Sequence, residues 1–236
     1  MLLLGLDTAT RRVGVVLASE RGVLGRVDLG GPVDEGPPRH AETLAPMIEY
    51  LCERVGVTLD RLSAIAVGIG PGMFTGLRVG VTTAKVLAQA LRIPVIPVPS
   101  LDLLAYPLRH SRGLIVPALD ARRHEVYYAL YRTVPGGVQR VSDYEIGTPE
   151  DLAGELEARG EDSLLCGDGV LRFESVFAEL DRVELAGLAH AAPSVTALAE
   201  LALARYEREE FCPPAEVRPM YLRKSDAEIS WESHAG

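Results

Sequence analysis

The sequence predicts an α/β protein of two similarly built lobes, each running β-β-β-α-β-α. Short Val/Leu-rich runs with charges at their ends read as strands. Longer segments with apolar residues three and four apart read as helices. The whole order then repeats after about residue 100, and a residue pattern marks the repeat. Leu6-Asp7 is followed by Val13 six residues after the Asp, and Leu119-Asp120 by Val126 at the same interval.

In order, strands are expected at 2–7, 13–19 and 22–29, the last two joined by Glu20-Arg21-Gly22. Residues 30–38, Gly-Gly-Pro-Val-Asp-Glu-Gly-Pro-Pro, are a loop by composition. A helix is expected at 39–55 from Ala41, Leu44, Met47, Ile48, Leu51 and Val55, with Pro46 kinking it or marking its regular start. A strand at 62–69, a long helix at 74–92 and a short, proline-bearing strand at 93–98 close the first set. The second set begins with a helical segment near 100–108, then strands at 113–119, 124–132 and 137–146. Thr148-Pro149-Glu150-Asp151 opens a helix at 148–159 as a cap with proline in the first turn. A strand at 163–167, a helix near 170–180 and a helix at 194–210 follow.

Two βββαβα lobes are the architecture of duplicated ribonuclease-H-like units, the actin-like (ASKHA) class. The lobes are expected at 1–99 and 100–210, the last helix packing back on the first lobe, with a tail at 211–236. The chain has 236 residues, 47% hydrophobic and 24% charged, which excludes a disordered chain. With 24 Lys+Arg against 33 Asp+Glu the net charge is −9, a poor field for gripping nucleic acid alone. Cys52, Cys166 and Cys212 form no C-x-x-C pair, which fits a reducing compartment. The apolar start at Met1–Leu6 has no basic lead and is cut by Asp7, so a cytoplasmic, membrane-free protein is expected.

The most specific segment is Gly68-Ile69-Gly70-Pro71-Gly72-Met73-Phe74-Thr75-Gly76-Leu77-Arg78-Val79-Gly80. It lies between a strand and a long helix, where backbone N–H groups can hold an anion or simply make a tight turn. It lacks the Lys-Ser/Thr of a P-loop and the third glycine of a dinucleotide fingerprint. Within the helix, Gly76, Gly80, Ala84 and Ala88 form one small-residue stripe. Two helical glycines cost about 1 kcal/mol each relative to alanine, so a close neighbour is expected to compensate. That neighbour is either the 39–55 helix of the same chain or a helix of another subunit.

Leu6-Asp7-Thr8-Ala9-Thr10, Gly70-Pro71-Gly72-Met73-Phe74-Thr75-Gly76-Leu77-Arg78-Val79-Gly80, Leu119-Asp120-Ala121-Arg122-Arg123 and Pro219-Met220-Tyr221-Leu222-Arg223 occur in that order. Together they resemble the TsaB (YeaZ) family across nearly the whole chain. The family usually has Ser where Met73 stands. The resemblance implies a non-catalytic dimerisation subunit for making N6-threonylcarbamoyladenosine beside the anticodon of tRNA. Its implied partners are a catalytic subunit, TsaD, an ATPase, TsaE, and tRNA through the complex, with a homodimer when alone. ATP and metal belong to those partners, and no cofactor to this chain. The implied interface falls on the 39–55 and 74–92 helices, at Leu44, Met47, Ile48, Leu51, Phe74, Gly76, Leu77, Gly80, Ala84 and Ala88.

The residues also bear on catalysis directly. His40, His110, His124, His190 and His234 include no His-x-x-x-His pair, the metal-holding pattern of the related catalytic subunit. A vestigial nucleotide cleft is expected at Asp7, Thr8, Gly70, Gly72 and Asp120. The second-lobe turn is Asp120-Ala121-Arg122-Arg123, without the glycine that lets a backbone approach a phosphate. Arg122 and Arg123 are either phosphate or RNA contacts or ordinary turn arginines. Tyr127, Tyr128 and Tyr131 read as strand packing, and Ser194 as a helix cap. The competing function is a nucleotide- or metal-dependent transferase or peptidase acting alone.

Overall fold

The computed structural model describes residues 1–30 and 39–223; most of the predicted 30–38 loop, Lys224, His234 and the rest of the tail lie outside the described residues. Three antiparallel strands open the chain, β1 (Leu2–Asp7), β2 (Val13–Ser19) and β3 (Gly22–Leu29). After α1 (His40–Val55) come β4 (Ala64–Gly68), α2 (Phe74–Leu91) and β5 (Val95–Val98). Pro46 sits inside α1, and Gly56 ends the helix in the left-handed conformation that glycine adopts most cheaply. The first sheet has the order β3-β2-β1-β4-β5, with β1, β4 and β5 parallel.

The second lobe follows α3 (Ser100–Ala105) with β6 (Leu114–Arg122), β7 (Glu125–Tyr128), β8 (Tyr131–Val134), β9 (Gly137–Arg140) and β10 (Glu145–Gly147). Then come α4 (Pro149–Arg159), β11 (Ser163–Cys166), α5 (Asp168–Arg172), α6 (Glu174–Phe177), β12 (Val183–Leu185) and α7 (Val195–Glu207). Its main sheet runs β10-β7-β6-β11-β12, the same order as the first sheet position for position, with the β8–β9 hairpin added on β6. The fold is therefore a duplicated ribonuclease-H-like pair.

Three details differ from the sequence reading. The strands expected at 124–132 and 137–146 are each split in two. The first break, at Ala129-Leu130, falls opposite Val116-Pro117 of β6, where proline has no N–H for the ladder. The helix expected near 170–180 is interrupted at Phe173, whose φ of −114° and ψ of 32° leave the helical region. Strand β12 was not foreseen.

Alternation along the strands decides which helix covers which face. Leu4, Leu6, Val15, Leu17, Ile65 and Val67 face α1 and α2, packing with Leu44, Ile48, Leu51, Val81 and Ala84. Leu3, Ala66 and Ile96 point the other way, to Leu198 and Ala202 of α7, while Val16 and Ala18 meet Val195 and Ala199. Helix α7 thus returns from the second half of the sequence to cover the first sheet. Helix α3 lies between the lobes, giving Leu103 to the first and Leu101 and Leu104 to the second.

Residues 211–223 then run back across both lobes. Cys212 pairs with Val95 at the edge of the first sheet, and Val217 is buried among the α1 and α2 residues. Met220 N–H donates to Ile69 O at 2.7 Å, and Arg223 reaches the second lobe to donate to Ala121 O at 3.0 Å and pair with Glu125.

Candidate functional site at the lobe junction

The glycines of the 68–80 segment let it press on the turn that follows β1. A side chain at Gly68 would strike the Asp7 carboxylate, one at Gly72 the Ala9 carbonyl, and one at Gly76 the Thr8 carbonyl and the His40 ring. Met73 N–H donates to Ala9 O at 2.7 Å and Thr8 Oγ1 donates to Gly76 O at 2.7 Å. His40 Nε2 is 2.7 Å from Thr10 O, and burial holds its imidazole below the usual pKa. The 70–76 segment therefore covers Thr8, Ala9 and Thr10, which are all buried. The expected anion cradle is a lid of the chain's own backbone.

Asp7 lies behind that lid, 2% exposed. Ala9 N–H donates to its Oδ1 at 3.2 Å, and Ser100 Oγ lies 3.4 Å from its Oδ2 while accepting from Gly70 N–H at 3.2 Å. Burial dominates, pushing the Asp7 pKa up to about 7. Ser100, the first residue of α3, was not foreseen; a serine opening a helix after proline reads as an ordinary cap.

The small-residue stripe is corrected in the same way. Gly76 and Gly80 face Thr8, and Ala84 and Ala88 are wholly buried in the core beneath α2. The neighbours that account for the glycines lie in this chain: the end of β1 for both, and at Gly76 also the His40 ring at the start of α1. Leu44, Met47, Ile48, Leu51 and Leu77 are likewise buried in this chain's core and have little surface to offer a subunit. Phe74 is half-buried under Tyr221, with ring centroids 4.9 Å apart and the Arg78 guanidinium 4.0 Å from its own ring. The large exposed apolar residues of these two helices are instead Tyr50 and Val86, at 51% and 59%.

In the second lobe, Asp120 ends the regular part of β6 as Asp7 ends β1, but its setting is different. Its carboxylate pairs with Arg122 and with Arg172, each at 3.3 Å. Its N–H donates to Asp168 Oδ1 at 2.9 Å, and burial raises the Asp168 pKa to about 6. Asp168 was missed; its signal was Gly167-Asp168-Gly169 at a strand-to-helix turn, the counterpart of the 68–72 segment. Arg123 and His124 form the two-residue loop of the β6–β7 hairpin, both with positive φ, where Asn-Gly is the usual choice. Arg122, Arg123 and His124 have φ of 64°, 53° and 60°, a conformation costing roughly 1–2 kcal/mol per non-glycine residue.

Two cavities meet at Met73, Asp120 and Arg122. One, of about 460 Å³, extends along α2 and the tail past Gly72, Phe74, Arg78, Arg123, Tyr221 and Arg223. The other, of about 610 Å³, extends past Arg11, Asp168, Arg172 and Leu188. Of the expected cleft residues, Gly72 and Asp120 line this space; Gly70 is turned toward Leu77 and Met220, and Asp7 and Thr8 lie behind the lid. Among the described residues no group of three His, Cys, Asp or Glu is placed to hold a metal, and no helix is long and apolar enough to cross a membrane.

Comparisons with known proteins converge on one family. The profile of the family described as "TsaD: tRNA N6-adenosine threonylcarbamoyltransferase" matches residues 35–231. The chain is 32% identical to the tRNA threonylcarbamoyladenosine biosynthesis protein TsaB of Bacillus subtilis, over 98% of each chain. A Pseudomonas aeruginosa crystal structure described as similar to peptidase YeaZ superposes with a TM-score of 0.78 at 31% identity, covering 94% of this chain and 99% of that one. YeaZ from Pseudomonas aeruginosa gives 0.76 at 29% identity, covering 93% and 100%. Lobe order, the glycine segment laid over the β1 turn and full-length similarity agree: the chain belongs to the TsaB (YeaZ) family.

Proposed function

We propose that this chain is a non-catalytic subunit for N6-threonylcarbamoylation of the adenosine beside the anticodon in tRNA. It binds a TsaD-type catalytic subunit and holds it in its active shape. A TsaE-type ATPase and tRNA join through the complex, ATP and metal belong to those partners, and the chain works in the cytoplasm. The full-length relatedness to TsaB supports the pathway. The observation that carries the non-catalytic role is the burial of Asp7, Thr8, Ala9 and Thr10 under the 70–76 segment. A carboxylate 2% exposed and uncharged below about pH 7 is poorly placed to orient a metal-bound water near a phosphate.

On this reading the partner surface is the outward face of α1 and α2, which lie side by side over one face of the first sheet, with Tyr50 and Val86 exposed on it. The same face serves for a homodimer when the chain is alone. The test is co-purification with TsaD of the same organism, together with ATP turnover by the isolated chain. A stable complex and no turnover are expected. Steady ATP hydrolysis by the pure chain, abolished by Asp7→Ala, overturns the proposal and favours a self-sufficient enzyme.

A further inference from the structure

We infer that the trough between α2 and residues 211–221 binds the phosphate backbone of RNA, an inference that rests on the proposed role in a tRNA-modifying complex. Arg78, Thr82, Lys85, Gln89 and Arg92 recur every three or four residues, so they share one face of the helix and its cap. Residues 211–221 run alongside and form the other wall. One stretch of the trough, of about 540 Å³, is lined by Arg78, Thr82, Lys85, Arg218 and Tyr221. The next, of about 530 Å³, is lined by Gln89, Arg92, Phe211 and Cys212, and the two meet at Ala215. From Arg78 to Arg92 the helix advances roughly 21 Å, at about 1.5 Å per residue. Lys85, Arg92 and Arg218 line neither cavity at the lobe junction.

Charge singles out this face. The chain carries 33 Asp+Glu, yet none lies between Asp60 and Asp102 and none lines either stretch of the trough. Glu216, the acid of residues 211–221, stands outside both linings. Among the described residues Arg78, Lys85, Arg92 and Arg218 bind no carboxylate. Arg78 donates to Tyr221 Oη and lies over the Phe74 ring, Lys85 Nζ donates to Val217 O at 3.1 Å, and Arg218 donates to the same carbonyl at 3.0 Å. Neutral partners of this kind aim the cations without cancelling their charge. Each end of the trough also carries an aromatic ring held by a neighbour and left partly bare. Tyr221 packs on Phe74 with ring centroids 4.9 Å apart and stays 42% exposed; Phe211 packs on Tyr206 at 5.3 Å and stays 39% exposed. A row of cations between rings on which unpaired bases can stack is how a protein tracks a nucleic-acid strand. An acidic protein would use the cations and leave the rings without a role.

The experiment titrates a fluorescent single-stranded RNA of mixed sequence with the full chain, by anisotropy, from about 50 to 200 mM salt. Binding is expected at the low end, with log K falling on log salt at a slope of about −3, as for about four phosphates on a single strand. Lys85→Gln, Arg92→Asn and Arg218→Gln are each expected to weaken binding about three-fold and to flatten the slope by about 0.7. Asn accepts the φ of 58° at position 92, so that variant keeps its fold even if Lys85→Gln loosens residues 211–221; thermal melting checks each. Arg21→Gln, in the β2–β3 turn outside the trough, should leave the slope unchanged. Ultraviolet crosslinking should place the RNA on Phe211 or Tyr221, and crosslinks elsewhere overturn the proposal. Absence of binding at about 50 mM salt, or a slope that all three variants leave unchanged, also overturns it. Poly-glutamate that binds as tightly as RNA of equal charge assigns the trough to an acidic protein instead. The titration uses this chain alone, so its failure is separate from a failure to capture TsaD.

Discussion

Thr8 and Gly80 share one space: the Thr8 hydroxyl, while donating to Gly76 O at 2.7 Å, occupies the position a side chain at Gly80 would need. This joint fixes α2 against the end of β1. It accounts for a glycine in mid-helix without any second subunit.

Gly80→Ala is therefore expected to destabilise the fold by about 1–3 kcal/mol, the usual scale of overpacking. Gly80→Leu goes further and unfolds much of the chain. Adding Thr8→Ala to Gly80→Ala removes the clashing oxygen and should recover part of the loss, a coupling that a double-mutant cycle in urea measures. A Gly80→Leu protein that melts like the parent but fails to dimerise would restore the interface reading of the stripe.

The partner surface is tested on the residues that are exposed. Tyr50→Glu and Val86→Glu are each expected to weaken capture of TsaD ten-fold or more, since a buried unpaired charge opposes association. Their melting temperatures should stay near the parent's, because both side chains face solvent in the isolated chain. Normal capture by both variants removes α1 and α2 from the interface.

Asp7 gives a stability profile with a definite sign. In the folded chain it keeps its proton up to about pH 7, whereas its ordinary value is 3.8. Between those values the folded state holds the extra proton, so the contribution of Asp7 is full below about pH 4 and is lost as pH rises through 7. Asp168 acts in the same direction up to about pH 6. Urea unfolding at pH 5 and pH 8 should show the parent losing stability relative to Asp7→Asn, by at most about 1.4 kcal/mol per pH unit for one proton. Equal pH dependence in the two proteins would contradict the raised value.

Much of this was legible in the sequence, and the failures have physical causes. Val/Leu-rich runs with charges at their ends located β1, β2 and β3; β1 and β2 are buried on both faces, whereas β3 is a largely exposed edge strand. Periodicity in α2 reported that something approaches closely, but it carries no information on whether the neighbour is a helix or a turn. Leu44, Met47 and Ile48 lie in this chain's own core, which the sequence could not tell for the same reason: an apolar stripe looks alike whether it meets a sheet or a subunit. Pro117 broke the strand expected at 124–132 at a distance, acting on Ala129-Leu130 across the ladder. The tail from Phe211 to Arg223 has no period, so only its pairing with Val95, Ile69 and Ala121 reveals its course.

Charge distribution sets the expected behaviour with large RNA. At physiological salt the isolated chain should bind tRNA weakly, because a net charge of −9 repels a polyanion before any local arginines engage. Fluorescence anisotropy over a salt series measures this. Tight, steeply salt-dependent binding would show that local cations prevail, with Arg122, Arg123, Arg218, Arg223 and Lys224 the first to neutralise.

The return of α7 and of Val217 to the first sheet has a consequence for biosynthesis. Residues 2–98 supply every strand of that sheet, yet one of its faces stays bare until Val195–Ala202 have been made, and the α1–α2 layer lacks Val217 until later still. The buried core of the second sheet comes from residues 101–177, with β12 and later Leu222 packing at its margin. On a translating ribosome the half made first is thus the half completed last. Leu3, Val16, Ala66 and Ile96 wait with their apolar surface uncovered while the later half folds ahead of them.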